Sequence, residues 1–403
     1  MVAAPDPTPE GASVLSLELG TQALPAGTNV LAWHGLAGSA RALALALAAR
    51  ARPLVIIAGT PIEADRLAAE LRFFADADLP VLFFPGNETL AYDPFSPHPD
   101  ITSQRLATLA SLPALTRGVV VTPLDALQGR LPPAPYVAGH TLLLETGMQL
   151  DAAAFRERLV AAGYAHVPQV ATHGEFAVRG SIIDLYPMGA AHPFRLDLFD
   201  DRLDSVRAFD AETQRSGDRM ASVRLLPARE FPLDEEGIRL FRRRWRARFE
   251  GDPSRSPVYR AVGEGRAPAG IEAWLPLFFE RTGSFFDYLP PGACLVDASA
   301  DPTAAATLWS GITERHEDLR HDLERPLLRP GELFIDPEEL AGLLAREPRI
   351  ALLPVPAATA TAEGVGVRGA LFHRLTCHAH NISFRWFPNR CDAPTIGPIG
   401  RSR

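Results

Sequence analysis

The sequence contains no lysine, so all 40 of its basic side chains are arginines. Schiff-base chemistry, a lysine general base and the lysine of a phosphate-binding loop are therefore excluded together. Three cysteines, Cys294, Cys377 and Cys391, are too few and too scattered for a disulfide framework, as expected in a reducing compartment. The longest apolar run, 42–49, ends at Arg50 before it could span a membrane.

The first residues, MVAAPDPTPEGAS, lack the basic and apolar regions of a secretion signal. We therefore expect a cytoplasmic protein that makes no membrane contact. The 403 residues predict two to three domains, and 48 acidic residues against 40 basic ones give a net charge of −8. This overall charge does not favour nucleic acid, so any nucleic-acid surface must be local.

Short apolar strands alternate with helical segments at the start of the chain. The strand patterns lie at 29–33, 53–59, 79–86 and 118–123, with helical patterns between them. This alternation predicts a parallel, doubly wound α/β sheet.

From about residue 138 the pattern changes to closely spaced alternating strands joined by turns. The segments 176–187, 193–201 and 204–210 predict an inserted α+β module with an antiparallel sheet. Buried strands at 293–299 and 349–354 indicate that the α/β pattern then resumes. We expect four segments: the α/β domain 1–137, the inserted module 138–228, the part that completes the first fold 229–354, and a linker with an atypical tail 355–403.

One loop has the frame of a nucleotide-binding G-x-x-x-x-G-K-[ST] motif, between a strand and a helix. It contains Gly35, Gly38, Ser39, Ala40, Arg41 and Ala42. The motif needs a second glycine, a lysine and a magnesium-binding hydroxyl where this chain has Ala40, Arg41 and Ala42. We interpret the loop as a degenerate nucleotide loop and expect neither a catalytic residue nor a metal.

An ATPase of this type also needs acidic residues after a buried strand. The best candidate, Asp297, offers a single carboxylate without a following glutamate, and we expect it to be a turn residue. The alternative hypothesis is a nucleotide-dependent, DNA-binding, helicase-like ATPase in which Arg41 replaces the lysine.

The segment 235–250 combines six arginines with aromatic residues. Arginines with interleaved aromatics could bind DNA phosphates and bases. At helical spacing, however, Ile238, Phe241, Trp245 and Phe249 form one apolar stripe. We favour a structural helix and keep DNA binding as an alternative.

Two patterns in the tail are interpreted as chance matches. Gly364, Gly366 and Gly369 fit a dinucleotide fingerprint, but no strand precedes them and no helix follows. The possible zinc ligands of the tail match no established four-ligand spacing. They are His373, Cys377, His378, His380 and Cys391.

The inserted module offers the best candidate surface. Arg195 and Phe199 are four residues apart on a strand and share a sheet face, and Arg179 lies on a neighbouring strand. Exposed arginines beside a phenylalanine are typical of a protein-binding hot spot. Equally, Phe199 could lie in the module core while the arginines pair with Asp200 or Asp201.

At these residues the sequence resembles the bacterial transcription-repair coupling factor (Mfd) family. The similarity is carried by NETLAYDPFSPHPDITSQRLATL (87–109), HGEFAVRGSIIDLYPMG (173–189) and FRLDLFDDRLDSVRAFDAETQRS (194–216). It covers most of 15–362 and concerns the family's N-terminal region, which is similar to the excision-repair protein UvrB. The resemblance implies UvrB-like domains 1a, 2 and 1b over the segments described above.

The resemblance also implies a function. In the family this region is a relic of an ATPase, and domain 2 recruits the damage-recognition protein UvrA through positions that fall on Arg179, Arg195 and Phe199. We expect a non-catalytic module of nucleotide excision repair that binds no cofactor.

The family's continuation is not recognised in this chain. Members continue into an RNA-polymerase-binding domain and a translocase that uses ATP and magnesium, which are not found here. Beyond about Gly369 the sequence does not resemble the family, so we expect a truncated chain whose contacts with RNA polymerase and DNA would need the missing domains.

Overall fold

The computed structural model describes residues 24–25, 29–34, 36, 38–299 and 301–353. Its strands are β1 (Val30–His34), β2 (Pro53–Ala58), β3 (Val81–Phe83), β4 (Gly118–Pro123), β5 (Leu142–Glu145), β6 (Ala165–His166), β7 (Glu175–Arg179), β8 (Ile182–Leu185), β9 (Phe194–Phe199), β10 (Arg202–Phe209), β11 (Ser216–Met220), β12 (Ser222–Leu225), β13 (Cys294–Asp297) and β14 (Arg349–Leu353).

The α-helices are α1 (Ala40–Ala48), α2 (Pro61–Phe74), α3 (Pro99–Ser111), α4 (Leu124–Gln128), α5 (Ala134–Gly139), α6 (Ala152–Ala161), α7 (Glu235–Arg248), α8 (Pro257–Gly263), α9 (Ala304–Leu319), α10 (Pro330–Leu333) and α11 (Pro337–Leu344). Short 3₁₀ segments cover Leu112–Ala114, Pro253–Arg255, Ile271–Phe278 and Phe285–Tyr288.

A parallel sheet forms the centre of the first domain, which confirms the predicted α/β class. In the described part of the chain its strand order is β1-β14-β13-β2-β4-β3, and every neighbouring pair is parallel. The late strands β13 and β14 lie between β1 and β2. The first domain is therefore completed by residues that follow the inserted module.

The apolar composition of β2 follows from burial on both faces of this sheet. Val55 and Ile57 contribute to one core cluster, whereas Leu54 and Ile56 contribute to the cluster that contains residues of α1 and α2. Successive side chains of a strand point to opposite faces, so a strand covered on both faces must be apolar throughout.

The inserted module contains a second sheet. Among the described residues its order is β11-β10-β9-β8-β7-β6. The strands from β7 to β11 form the predicted antiparallel meander, while the short β6 pairs with β7 in parallel. One face of this sheet supplies the core with Phe176, Ile183, Leu196 and Val206.

The chain enters and leaves the module through β5 and β12, which pair with each other in antiparallel register. Buried Leu144 and Val223 are partners in this pairing. This two-stranded stem lies just inside the expected module boundaries at 138 and 228, which themselves stay a prediction.

The module also contacts α3. The buried Arg105 on α3 pairs with the largely buried Glu230 at 2.7 Å, and its guanidinium donates a further hydrogen bond to the carbonyl of Pro85 at 2.9 Å. His173 contacts Asp100 on the same helix at 2.7 Å. These contacts fix the position of the module relative to the first domain.

Helix α7 is a structural helix with an apolar stripe. Phe241 and Trp245 are buried in an aromatic cluster that includes Trp274, whose ring centre lies 6.0 Å from that of Trp245. Arg248 pairs with Glu332 at 2.6 Å, and its neighbour Arg244 approaches Glu280. The favoured interpretation of the arginine-rich segment as an amphipathic helix is confirmed.

No helix within the described ranges is both long and apolar enough to cross a bilayer.

We predict that Trp245→Ala lowers the free energy of unfolding by about 3–5 kcal/mol, because it leaves a cavity in the aromatic cluster. Arg239→Ala, on the exposed side of the same helix, should change it by less than about 0.5 kcal/mol. Urea-induced unfolding followed by tryptophan fluorescence and circular dichroism measures both. Equal effects of the two substitutions would contradict the structural role of this helix.

Candidate functional site

The three candidate residues of the inserted module lie on neighbouring strands of its sheet. Arg179 ends β7 and Phe199 ends β9, with β8 between them. The two hairpin turns that follow these residues lie at the same end of the sheet, because β8 is antiparallel to both strands. Gly180 opens the first turn with a φ of +62°, where a side chain would be strained.

The strand register places the candidate side chains on one face. Asp184 on β8 lies opposite Ala177 and Arg195, and Arg195 lies opposite Arg207. Arg179 and Phe199 are separated from this row by even numbers of residues along their strands, so they share the face. We call this surface, with Arg179, Asp184, Arg195 and Phe199, the outer face.

Asp184 binds both arginines. Only 1% of Asp184 is exposed, and it accepts hydrogen bonds from Arg195 Nε at 2.7 Å and from Arg195 Nη2 at 3.0 Å. It also contacts Arg179 Nη2 at 2.5 Å. The hydrogen bond to Asp184 raises the pKa of the Arg195 guanidinium. One carboxylate thus holds two guanidinium groups, and this group of three side chains carries a net positive charge.

Further contacts fix the Arg195 side chain. Its Nη1 donates to Ser216 Oγ at 2.9 Å, and the guanidinium carbon lies 4.9 Å from the centre of the Phe209 ring. Phe209 belongs to a small buried cluster with Val170 and Ala177. Arg195 is therefore positioned by a carboxylate, a hydroxyl and an aromatic ring, whereas Arg179 is about half exposed.

Phe199 is 74% exposed, and it lies beside a hairpin turn in which Asp200 has a φ of +49°. The alternative in which Phe199 enters the module core and the arginines pair with Asp200 or Asp201 is wrong. The inner face of the sheet is already filled by apolar side chains, and Asp184 is the anion within reach of both arginines.

Sequence reasoning missed Asp184. The available signal was a single acidic residue inside the apolar strand sequence IIDL, where an unpaired charge would be costly. Identifying its partners required the register between β8 and β9, which the strand sequences alone do not specify.

The degenerate nucleotide loop lies just before α1. Gly38 has a φ of +54°, and Ser39 precedes the first turn of the helix. Arg41 is partly buried, and Ala42 is fully buried in the core beneath the sheet. The position that would supply a magnesium-binding hydroxyl is thus a core alanine, while Gly35 lies outside the described residues.

Asp297 ends β13, and its Oδ1 accepts a hydrogen bond from the backbone N–H of Ser299 at 3.0 Å. Burial raises the pKa of this carboxyl. This geometry is that of a turn residue.

Within the described ranges, no group of three His, Cys, Asp or Glu side chains could hold a metal ion. The tail patterns, namely Gly364, Gly366, Gly369 and the possible zinc ligands 373–391, lie outside the described residues. The described thiol, Cys294, is buried, which raises its pKa to about 11.

Comparison with known proteins identifies the inserted module first. Residues 142–231 match the UvrB interaction domain family. The fold and the site therefore define a class of protein in which a parallel α/β domain carries a UvrB interaction domain with an arginine-rich outer face.

Over a longer region the chain is similar to transcription-repair-coupling factors. It is 42% identical to the Escherichia coli protein over 315 residues and 42% identical to the Haemophilus influenzae protein over 298 residues. It is 34% identical to the Myxococcus xanthus protein over 330 residues. These matches cover 77%, 73% and 76% of this chain, but only 27%, 26% and 27% of the relatives.

The chain therefore belongs to the transcription-repair coupling factor family and corresponds to its N-terminal, UvrB-like region. It spans about a quarter of the length of the curated relatives that it matches.

We predict that Asp184→Ala lowers the free energy of unfolding by about 2 kcal/mol, because it leaves the partly buried Arg195 cation without its anion. The effect is smaller than for a fully buried pair, since solvent still reaches Arg195. Asp197→Ala, an exposed position on the same face of β9, is the matched control and should cost less than about 0.5 kcal/mol. Thermal and urea unfolding measure both effects. If Asp184→Ala were as stable as the original protein, this role of the carboxylate would be contradicted.

Proposed function

We propose that this chain is a non-catalytic adaptor of transcription-coupled nucleotide excision repair that binds UvrA through the outer face of its inserted module. One observation carries the proposal: Arg179 and Arg195 are held by the buried Asp184 on the same face as the exposed Phe199. The match of this module to the UvrB interaction domain family supports the proposal.

The outer face has the physical properties of a protein-binding hot spot. Arginine and aromatic residues dominate binding energy at many interfaces. A side chain that is already fixed loses little conformational entropy on binding, and Arg195 is fixed by three sets of contacts. Phe199 is the exposed apolar anchor. The partner surface should therefore present acidic groups around an apolar pocket.

The remaining activities of the family are assigned to other parts of the longer proteins. The relatives are named for transcription-repair coupling, and this chain spans about a quarter of their length. We propose that contacts with RNA polymerase and DNA, and any use of ATP and magnesium, require those other parts. A cytoplasmic location, where excision repair takes place, belongs to the same proposal.

The proposal of a non-catalytic role rests on the nucleotide loop. A phosphate-binding loop needs a lysine and a magnesium-binding hydroxyl, and this loop has Arg41 and the buried Ala42 in their places. The single carboxylate of Asp297 is engaged by the turn at Ser299. Neither part has the groups that nucleotide hydrolysis requires.

We predict that Phe199→Ala and Arg195→Ala each weaken UvrA binding about thirtyfold, equivalent to about 2 kcal/mol, as is usual for hot-spot residues. The triple variant Arg179→Ala/Arg195→Ala/Phe199→Ala should show no measurable binding. Titration calorimetry with purified UvrA measures the affinities, and circular dichroism shows whether each variant is folded.

The matched control is Phe73→Ala, which removes a phenylalanine that is 80% exposed on α2 of the first domain. This variant should bind UvrA as the unaltered protein does. If folded variants of the outer face retained full affinity, or if Phe73→Ala lost it equally, UvrA recognition by this face would be refuted.

We also predict that the purified chain hydrolyses no ATP above the background rate. Arg41→Ala should therefore leave phosphate release unchanged, because the loop has no lysine and has the buried Ala42 at the position of the magnesium-binding hydroxyl. A malachite-green phosphate assay with and without magnesium checks this. Turnover that disappeared in Arg41→Ala would establish the alternative, a nucleotide-dependent ATPase.

A further inference from the structure

A cleft of about 510 Å³ lies apart from both the outer face and the nucleotide loop. Its walls come from α4, from the segment that follows β3, from the 3₁₀ segment Ile271–Phe278 and from α9. This volume is sufficient for a small organic molecule or for one long side chain of a partner.

Two buried hydrogen-bond acceptors on α4 have no partner among the described residues. Gln128 is only 1% exposed, and its Nε2 donates to the carbonyl of Ala305 at 3.1 Å. Its Oε1 and the Oδ1 of Asp125 are both buried and accept no hydrogen bond from any described residue. Asp125 and Gln128 are three residues apart on α4, so their side chains are neighbours on one side of this helix.

The cleft is lined by more carboxyl groups than arginines. The three lining arginines are already engaged, as Arg105 pairs with Glu230, Arg130 with Glu339 and Arg315 with Asp93. Asp125 and Glu272 also line the cleft. Glu272 accepts a hydrogen bond from Ser96 Oγ at 2.8 Å, and Arg105 interacts electrostatically with Asp125, although its ion pair is with Glu230. Burial raises the pKa of both carboxyls.

The surrounding residues leave space for the Asp125 carboxyl. A Cβ atom at Gly86 would lie 2.6 Å from Asp125 Oδ2, so a larger residue at this position would displace the carboxylate. Apolar side chains, among them Leu275 and Phe334, form other parts of the wall. The cleft thus combines apolar contact area with unsatisfied acceptors and more carboxyl groups than arginines. A nucleic-acid phosphate would be repelled, whereas a cationic donor would satisfy both acceptors.

We propose that this cleft is a binding site for an organic cation with N–H donors, a guanidinium or ammonium group held by Asp125 and Gln128. Such a group exists in free amines and in the arginine or lysine side chains of a partner protein. The same chemistry serves both sources, because each presents a charged donor on an apolar stem.

Titration calorimetry on the full chain tests the proposal with two probes and their neutral analogues. Methylguanidinium is compared with methylurea, and the peptide acetyl-Gly-Arg-Gly-amide with its citrulline counterpart, all at concentrations well below denaturing ones. If methylguanidinium and the arginine peptide both bind, the site accepts a free organic cation. If only the arginine peptide binds, the site is assigned to an arginine side chain of a partner protein. The proposal is overturned if neither cation binds, or if the neutral analogues bind equally well.

Substitutions in the cleft locate the binding. Asp125→Asn and Gln128→Met should each lower the affinity for the cationic probe at least tenfold. Asp78→Asn, at an exposed ion pair with Arg117, should leave this affinity unchanged. Unaltered affinity in folded Asp125→Asn and Gln128→Met proteins would overturn the assignment.

If the substitutions prevent folding, nuclear magnetic resonance of the unaltered protein decides. The side-chain amide resonances of Gln128 should shift on addition of the cation and not of its neutral analogue. An unshifted Gln128 amide at saturation would refute the site.

Discussion

The hydrogen bonds of β13 with β2 and β14 hold this molecule together, because they join the two ends of the first domain across the inserted module. Cys294 to Asp297 pair with residues 54–57 on one side, and β14 then connects β13 to β1. In the described part of the chain β1 pairs only with β14, so loss of the late strands would leave β1 without a neighbour in the sheet and β2 with β4 alone. The module between them must therefore leave and re-enter the first domain at neighbouring points, which the pairing of β5 with β12 provides.

Contacts with the first domain also fix the position of the inserted module. Its stem is joined to the first domain, and the buried pair of Arg105 with Glu230 attaches the exit of the module to α3. Buried ion pairs of this kind are costly to break, because a single remaining charge would lie in a poorly solvated place. These contacts hold the module against the first domain, and a surface that is held in place loses less conformational entropy when it binds a partner.

Charge is distributed differently over the two surfaces that this structure offers. On the outer face, one carboxylate, Asp184, serves two arginines, so positive charge is left over. In the cleft the lining arginines are already engaged in ion pairs, and the carboxyl groups outnumber them. The two surfaces therefore suit ligands of opposite sign, although the chain as a whole is only moderately acidic.

Much of the fold could be predicted from local sequence. Local patterns identify several elements: the apolar runs of β2 and β4, the amphipathic pattern of α7 and the alternation in β7 to β10. This is possible because the spacing of apolar residues within a short segment shows both its type of secondary structure and its buried side. Short elements such as β6 and α10 were not predicted, since a segment of two to four residues shows no periodicity. The family resemblance, and with it the candidate residues Arg179, Arg195 and Phe199, was also readable from the sequence.

The sequence by itself determined the element types, the missing lysine and hydroxyl of the nucleotide loop, and the residue types of the outer face. Only the tertiary structure decided that Asp184 holds both arginines and that Phe199 remains exposed. It also decided that Asp125 and Gln128, each with an acceptor that is unpaired among the described residues, line a common cleft. The physical reason is that strand register and the packing of distant segments select ion-pair partners, and neither is encoded within any one stretch of chain.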